Sequence, residues 1–233
     1  MSQTARAFRV STKSVQGRRD GNEDSLLARS LPDGRVLLAV ADGMGGHAAG
    51  EVASALALEV LSRSLQEGRS LEESVVLANE EVHARSREPG RLGMGTTLVA
   101  ALLEASRLLV ANVGDSRAYL ITGKEMRQIT QDHSFLAEAL RHGQSEMETL
   151  SSRWKDALTR SVGTESAVQV DLFGPLPLER DSALLLCSDG LYKTLKDAEI
   201  GGLYRRAAGP AEAVRALVDA AYQGGSDDNI SVV

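Results

Sequence analysis

The chain has very little cysteine and no long apolar run, and each shortage narrows what it can be. Cys187 is the only cysteine among 233 residues, so no internal disulfide can form, which fits a reducing compartment. No apolar run approaches the roughly 20 residues that span a bilayer, and the N-terminal residues lack the apolar core of a secretory signal. We therefore expect a cytoplasmic protein with no membrane segment.

Basic residues are also in the minority. The chain has 26 Lys and Arg against 32 Asp and Glu, which gives a formal net charge of −6 and a pI near 5.3. Proteins that bind nucleic acids usually carry clustered Lys and Arg, so we expect no nucleic-acid partner. An acidic site would also repel a phosphorylated substrate, unless bound divalent cations reverse the local field. The charge balance therefore leaves a metal enzyme open.

Several phosphate-handling chemistries lack the residues that they require. A cysteine-dependent phosphatase needs Arg six residues after its cysteine, where this chain has Lys193. An aspartyl-phosphate mechanism of the haloacid-dehalogenase kind needs Asp two residues before Asp-Gly, where Val40 and Cys187 stand. A nucleotide P-loop ending at Gly123-Lys124 would need glycine in place of Ala118. The four histidines and the single cysteine show no zinc-binding spacing.

Hydrophobic periodicity predicts strands and helices in separate runs. Strands are predicted at about 7–15, 25–31, 35–41, 97–103, 108–113, 117–122, 126–129, 168–173, 182–188 and 230–233. Helices are predicted at about 48–66, 71–87, 196–207 and 210–223. We expect the strands of 97–129 to form an antiparallel meander, and the polar segment 134–163 to be mostly helical and to cover the sheet edge. Such grouping favours an α+β layered domain over a doubly wound sheet.

Acidic side chains recur where the predicted strands end. Asp42 and Asp189 each begin an Asp-Gly pair after an apolar run, Asp115 follows a third run, and Asp228 precedes the last strand. Glu23-Asp24 introduces a strand in the same way. One such aspartate is usually a turn or a helix cap. If five such strand ends converge, their like charges must be neutralised, and Mg²⁺ or Mn²⁺ would do so because both prefer oxygen ligands.

These strand ends belong to a longer series of short motifs. In chain order the motifs are Arg19-Asp20-Gly21-Asn22-Glu23-Asp24, Asp42-Gly43-Met44-Gly45-Gly46-His47, Gly93-Met94-Gly95-Thr96-Thr97, Gly114-Asp115-Ser116-Arg117, Thr130-Gln131-Asp132-His133-Ser134, Leu158-Thr159-Arg160, Ser188-Asp189-Gly190 and Asp227-Asp228-Asn229. A single motif such as Ser-Asp-Gly is weak, but the ordered set is specific and covers nearly the whole chain from about Val10. Through this ordered set of motifs, the chain resembles the compact bacterial form of the metal-dependent Ser/Thr protein phosphatases called type 2C, the PPM family.

The resemblance implies a fold and a reaction. The fold is a four-layer α-β-β-α sandwich, a central antiparallel β-sandwich flanked by helices, in one catalytic domain over residues 1–233 with a mobile flap at about 135–163. The reaction is hydrolysis of phosphoserine and phosphothreonine on proteins by direct attack of a hydroxide that bridges two metals. The implied cofactors are two to three Mn²⁺ or Mg²⁺ ions. The expected partners are a bacterial Ser/Thr kinase, which the enzyme opposes, and the kinase's targets, and we expect a monomer.

The resemblance also implies which residues hold the metals. By matched position, Asp42 would bridge two metals, and the Gly43 carbonyl would be a further ligand. Asp189 and Asp228 would each hold one ion of the pair. Asp115, together with Asp189, would support a third and weaker metal. Asp42 and Asp189 are thus expected to be catalytic.

Other matched residues would act around the metals. Glu23 would act through metal-bound water, and Asp24 and Asn229 would support the ligands from nearby. Arg19 matches the arginine that binds the phosphate and is the third expected catalytic residue. Its planar guanidinium suits phosphate oxygens in a way that lysine would not reproduce.

The flap and the proton donor carry further expectations. Arg153 and Arg160 are candidates for substrate recognition, and Trp154 either joins that surface or anchors the flap. Eukaryotic members carry histidine two residues after the bridging aspartate, where this chain has Met44. The general acid is therefore left open between His47 and a metal-bound water.

Two other functions stay open at this level. A catalytically silent fold that binds a phosphoprotein or regulates a kinase would be marked by loss of a metal aspartate, and none is lost here. A phosphatase acting on small phosphorylated metabolites would use the same residues. Turnover of phosphopeptides against sugar phosphates separates that alternative from a protein phosphatase.

Overall fold

The computed structural model describes residues 8–45, 48–143 and 157–233. The strands are β1 (Lys13–Val15), β2 (Asp24–Ser30), β3 (Val36–Met44), β4 (Gly95–Thr96), β5 (Leu98–Glu104), β6 (Arg107–Val113), β7 (Arg117–Thr122), β8 (Glu125–Gln128), β9 (Asp171–Pro177), β10 (Ala183–Cys187) and β11 (Ile230–Val232). The helices are α1 (Ala48–Gln66), α2 (Leu71–Arg85), α3 (Phe135–Arg141), α4 (Asp189–Tyr192), α5 (Asp197–Arg206) and α6 (Pro210–Gln223).

The strands form two antiparallel sheets. The first has the order β2-β3-β5-β6-β9, with β4 paired to the end of β3, and the second has the order β1-β11-β10-β7-β8. In β3, Leu37, Ala39 and Ala41 pack beneath α1 and α2, whereas Leu38 and Val40 face the second sheet. This alternation follows from the two-residue period of a strand, and it requires both faces of β3 to be apolar.

The second sheet repeats this alternation. In β7, Ala118 and Leu120 join the core between the sheets, whereas Tyr119 and Ile121 pack into a separate core beneath α5 and α6. Three hydrophobic layers therefore separate four structural layers. The predicted α-β-β-α sandwich is confirmed.

Most predicted elements are present, but the strand order and one local structure are not as predicted. The bounds of α1, β7 and α6 agree with the prediction. The meander is wrong: β5 and β6 pair in the first sheet, whereas β7 and β8 pair in the second. The chain changes sheets at residues 114–116, after Gly114 with its φ of 104°. The Asp-Gly at 189 opens a helical turn, α4, which the sequence patterns did not indicate.

The segment predicted to cover the sheet edge is described in part. Its first portion is helical as predicted, since Ser134 caps α3 by accepting a hydrogen bond from the Ala137 amide. The described end of the segment, from residue 157, is held by two isolated β-bridges, Ser134 with Leu158 and Thr96 with Val162. Residues 144–156 lie outside the described residues. Among the described residues, no helix is both long and apolar enough to cross a membrane.

Candidate active site

One open cavity of about 1010 Å³ collects the acidic strand ends. The register of β2 and β3 places Asp24 opposite Asp42, and the adjacent ends of β10 and β11 bring in Asp189 and the residues just before Ile230. The expected site residues that line the cavity are Arg19, Glu23, Asp42, Gly43, Asp115, Arg160, Asp189, Asp228 and Asn229. The fold therefore brings together residues that are up to 210 positions apart in the chain.

The backbone of Asp42 is held by the neighbouring strands. Its amide donates to Thr97 Oγ1 at 3.0 Å, and its carbonyl accepts from the Thr97 amide at 2.9 Å and from Thr96 Oγ1 at 2.9 Å. The side chain is thereby aimed into the cavity. Burial, followed by the charges of Asp24 and Asp189, raises the pKa of Asp42 well above its ordinary range. A nearby positive charge is needed to keep the Asp42 carboxylate ionised in this acidic surrounding.

Asp24 lies behind Asp42 and is tied to the second sheet. Its Oδ2 accepts a hydrogen bond from Ser188 Oγ at 2.7 Å, whereas no donor among the described residues reaches its buried Oδ1. Burial is the main cause that raises the pKa of Asp24 to about 7, with smaller contributions from Asp189 and Asp228. Asp24 is not among the residues that line the cavity, and its expected supporting role stays a prediction.

Asp228 and Asp189 each contact a cationic side chain. Asp228 Oδ2 lies 2.6 Å from a guanidinium nitrogen of Arg19, and Asp228 Oδ1 accepts from the Asn229 amide at 2.8 Å. Asp189 Oδ2 lies 2.6 Å from Lys193 Nζ. No hydrogen-bond donor in the described part of the chain reaches Asp189 Oδ1, which is buried. The two carboxylates are thus only partly compensated.

Asp115 is held by a buried network at the change of sheets. The Gly114 amide donates to His133 Nδ1 at 3.0 Å, so the ring carries its proton on Nε2 and donates it to Asp171 at 3.1 Å. The Tyr192 hydroxyl donates to the Asp115 carbonyl at 2.9 Å. Burial, followed by the charge of Asp189, raises the pKa of Asp115 to about 7. His133 was not among the expected site residues, and its contacts with Gly114 and Asp171 hold the turn that carries Asp115.

Glu23 and Gly43 meet at a close backbone approach. A Cβ added to Gly43 would collide with the Gly50 carbonyl, and a Cβ added to Gly50 would collide with the Glu23 carboxylate. Glycine at both positions lets the end of β3 and the first turn of α1 enclose Glu23. Asn229 fixes the same loop, since its Oδ1 accepts from the Glu23 amide at 2.9 Å.

The expected cationic and proton-donating residues differ in whether they contact an aspartate, line the cavity or lie outside the described residues. Arg19 contacts Asp228, and its side chain is 58% exposed. Arg160 contacts Asp171 at 2.6 Å and lines the cavity rim. Met44 also lines the cavity, although a thioether has no transferable proton. His47, Arg153 and Trp154 lie outside the described residues, so the expectations for these three side chains stay predictions.

Two residues that pair with the aspartates were not among the expected site residues. Ser188 binds Asp24, and Lys193 binds Asp189. The signal for Lys193 was present in the sequence, because Asp and Lys four residues apart face each other on one side of a helix. That signal is useful only if Asp189 begins a helical turn.

The acidic residues fit divalent cations by their chemistry. Asp42, Asp115, Asp189 and Asp228 place oxygen donors in one cavity. The pKa values of Asp42 and Asp115 are raised, Asp189 Oδ1 is buried without a donor among the described residues, and Gly43 and Gly50 leave room for close approach. Among the described residues, however, no three His, Cys, Asp or Glu side chains already form a cage around one point. This agrees with the ion pairs to Arg19 and Lys193, which draw two of the carboxylates to cationic side chains.

Known proteins resemble this chain over most of its length. The family described as Protein phosphatase 2C matches residues 13–219. The chain belongs to the protein phosphatase 2C family. It is 38% identical over 228 residues to the serine/threonine phosphatase stp of Listeria innocua, covering 92% of this chain and 90% of that protein. Among solved structures, it is similar to the serine/threonine phosphatase of S. agalactiae, with a TM-score of 0.89 and 31% identity over 96% of this chain and 97% of that one.

A further solved member of the family carries metal. It is the catalytic domain of the serine threonine protein phosphatase PstP in complex with 2 manganese ions. The chain is similar to it with a TM-score of 0.80 and 33% identity, covering 96% of this chain and 95% of that one. This family of phosphatases is metal-dependent, and the acidic cavity is the part of the present fold whose donors suit such ions.

Proposed function

We propose that this member of the family hydrolyses phosphoserine and phosphothreonine in proteins and uses Mn²⁺ or Mg²⁺ bound in the acidic cavity. The observation that carries the proposal is the convergence of Asp24, Asp42, Asp115, Asp189 and Asp228, with three of their pKa values raised. Such repulsion destabilises a fold unless positive charge is recruited. Divalent cations and a dianionic phosphate would together occupy the cavity.

The residues that would hold the cations are the oxygen donors that line the cavity. Asp42 faces the cavity, and Asp189 presents Oδ1. Asp228 would exchange Arg19 for a cation, and the Gly43 carbonyl and Glu23 complete the oxygen donors. When bound, the cations would lower the pKa of coordinated water and offset charge on the phosphate. Asp24 stays behind this set and positions it through Ser188.

Arg19 would bind the substrate phosphate once it leaves Asp228. Its guanidinium is mostly exposed, and its Nε donates only to the Asp227 carbonyl, at 3.1 Å. A planar guanidinium can donate two parallel hydrogen bonds to phosphate oxygens, whereas lysine offers a point charge. We therefore expect Arg19 to move from Asp228 to the phosphate when cations load the site.

We further propose that the chain acts as one domain over residues 1–233, with the flap at about 135–163, and that it opposes a Ser/Thr kinase. The family match over residues 13–219 and the alignment over 92% of this chain and 90% of the Listeria innocua protein support a single domain. Arg160 at the cavity rim would approach the substrate backbone or phosphate from the flap side. The kinase and its targets follow from the reaction, since a protein phosphatase requires a kinase to supply its substrate.

A phosphothreonine peptide tests the proposal directly. We expect hydrolysis with Mn²⁺, loss of hydrolysis with a chelator, and a fall of about 100- to 1000-fold in kcat for Asp42→Asn, the order lost when one electrostatic stabiliser is removed. Arg19→Lys should raise KM more than it lowers kcat. The control is Asp181→Asn, which removes an equal charge at an exposed position away from the cavity.

Two results would contradict this function. Full activity of Asp42→Asn would show that the acidic cavity is not the reaction site. Faster turnover of sugar phosphates than of phosphopeptides would favour a phosphatase of small metabolites.

A further inference from the structure

Lys193 stands within the acidic wall of the cavity. It follows the single turn of α4, whose first residue is Asp189, and its Nζ lies 2.6 Å from Asp189 Oδ2. Residues four apart on a helix share one face, so the pairing is fixed by the local backbone. The Asp189 side chain is only 11% exposed, whereas that of Lys193 is 38% exposed. The ammonium group therefore reaches inward from the surface to a buried carboxylate.

The charge of Lys193 also reaches Asp115. Burial and the charge of Asp189 raise the pKa of Asp115, and Lys193 is the strongest influence in the opposite direction. Asp115 is only 6% exposed and belongs to a rigid turn held by Tyr192. Lys193 thus pairs directly with the buried carboxylate of Asp189, while its neighbour Tyr192 binds the backbone of Asp115 at the same cavity.

The two oxygens of Asp189 have different surroundings. Oδ2 contacts Lys193, whereas Oδ1 is buried and has no hydrogen-bond donor among the described residues. A carboxylate can give one oxygen to an ammonium group and the other to a metal ion. Asp189 can therefore keep its ion pair with Lys193 and still offer Oδ1 to a metal ion.

We propose that Lys193 supplies the positive charge that a third divalent cation would otherwise supply between Asp115 and Asp189, so that the chain binds two divalent cations. This inference rests on the proposed function only in that the acidic cavity binds divalent cations. It reduces the number of bound ions expected from the sequence from two or three to two. A lysine ammonium is a compact, strongly hydrated charge, and a third ion would have to displace it from Asp189 Oδ2. Because Lys193 is covalently attached, its charge does not depend on the metal concentration.

The experiment counts Mn²⁺ ions per chain by isothermal titration calorimetry and by electron paramagnetic resonance of free Mn²⁺, without any substrate. We expect two ions for the natural sequence, and a third and weaker ion for Lys193→Met. Lys193→Asp should bind the third ion more tightly, since it adds a carboxylate to Asp115 and Asp189. Adding Asp115→Asn to Lys193→Asp should return the count to two.

Lys124→Met is the matched control. It removes one lysine charge beyond the far end of β7, about 20 Å from Asp115 by the rise of six strand residues, and it should leave the count at two. Melting curves confirm that each variant is folded, and Lys193→Gln serves if Lys193→Met does not fold.

Three ions in the natural sequence, with one lost in Asp115→Asn, would overturn the inference. A count of two in every Lys193 variant would overturn it as well. Ion counts that agree with the inference, in a chain that hydrolyses no phosphopeptide, would refute the proposed function and leave this inference standing.

Discussion

The metal-free protein should be less stable at pH 8 than at pH 5. Burial raises the pKa values of Asp24 and Asp115 to about 7, against an ordinary value of 3.8. Between these values the unfolded chain has already released the protons that the folded chain still binds. The free energy of unfolding therefore falls as the pH rises from about 4 to about 7, and it is lowest above pH 7. The sign is opposite to that of a carboxylate stabilised by a salt bridge.

The size of the effect follows from one carboxyl group. The difference between 3.8 and about 7 corresponds to about 4 kcal/mol, at 1.36 kcal/mol for each pH unit. The pKa values of Asp24 and Asp115 both depend on the charge of Asp189. Because the two shifts are therefore not independent, the free energy is worked out for one group only. In a chain of this length, 1 kcal/mol changes the melting temperature by about 2–4 °C. About 2 of these pH units lie above pH 5, which corresponds to about 2.7 kcal/mol, so we expect a fall of about 5–11 °C between pH 5 and pH 8.

Differential scanning calorimetry in a chelating buffer measures this fall. Asp115→Asn should flatten the pH dependence, because it removes one of the groups that carries it, whereas the exposed Asp181→Asn should not. Saturating Mn²⁺ should reverse the trend, since metal ligands must be deprotonated and binding to the folded state raises the melting temperature. A metal-free melting temperature that is constant or rises from pH 5 to pH 8 would refute the reasoning.

Two substitutions away from the aspartates test the support of the site. Gly50→Ala should destabilise the fold by about 1–3 kcal/mol and weaken Mn²⁺ binding in calorimetric titration, because the new Cβ would collide with Glu23. Gly202→Ala, at a helical position where a Cβ would make only ordinary contact with the Arg206 side chain, should do neither. The buried side-chain oxygen of Asn79 accepts a hydrogen bond from the Gly163 amide at 2.7 Å and fixes the segment beside the cavity rim. Asn79→Ala should therefore lower the free energy of unfolding in denaturant by about 1–3 kcal/mol. It should also raise KM for a phosphopeptide more than it lowers kcat. An unchanged KM in Asn79→Ala would show that this segment does not contribute to substrate binding.

Helices and single strands were predictable because their signals are local. The apolar period places α1 at Ala48–Gln66 and α6 at Pro210–Gln223, and both agree with the structure. The partners of a strand are not local. β6 and β7 are separated by three residues, Gly114 to Ser116, yet they belong to different sheets. Alternating apolar residues fit either sheet, so the periodicity could not exclude a meander.

The candidate site shows the same division. The order of the acidic strand ends predicted a shared cavity, and the fold brings them to one. The roles assigned to Asp42, Glu23 and Arg19 stay predictions until metal and substrate are measured. The pairing of Arg19 with Asp228 depends on the distance between two loops whose residues lie 209 positions apart in the chain. No spacing in the sequence encodes that distance.

The sequence by itself determined the class of chemistry, because residue types and their order are sufficient to identify oxygen donors at successive strand ends. Its apolar runs also predicted the strands that became β3 and β7. Only the tertiary structure decided how much charge the cavity must accommodate, since pKa values depend on burial and on neighbours from other strands. It also decided that Lys193 reaches Asp189 and acts on Asp115, because a lysine acts on a carboxylate only at short range, and short range between distant residues is set by the packing of the sheets.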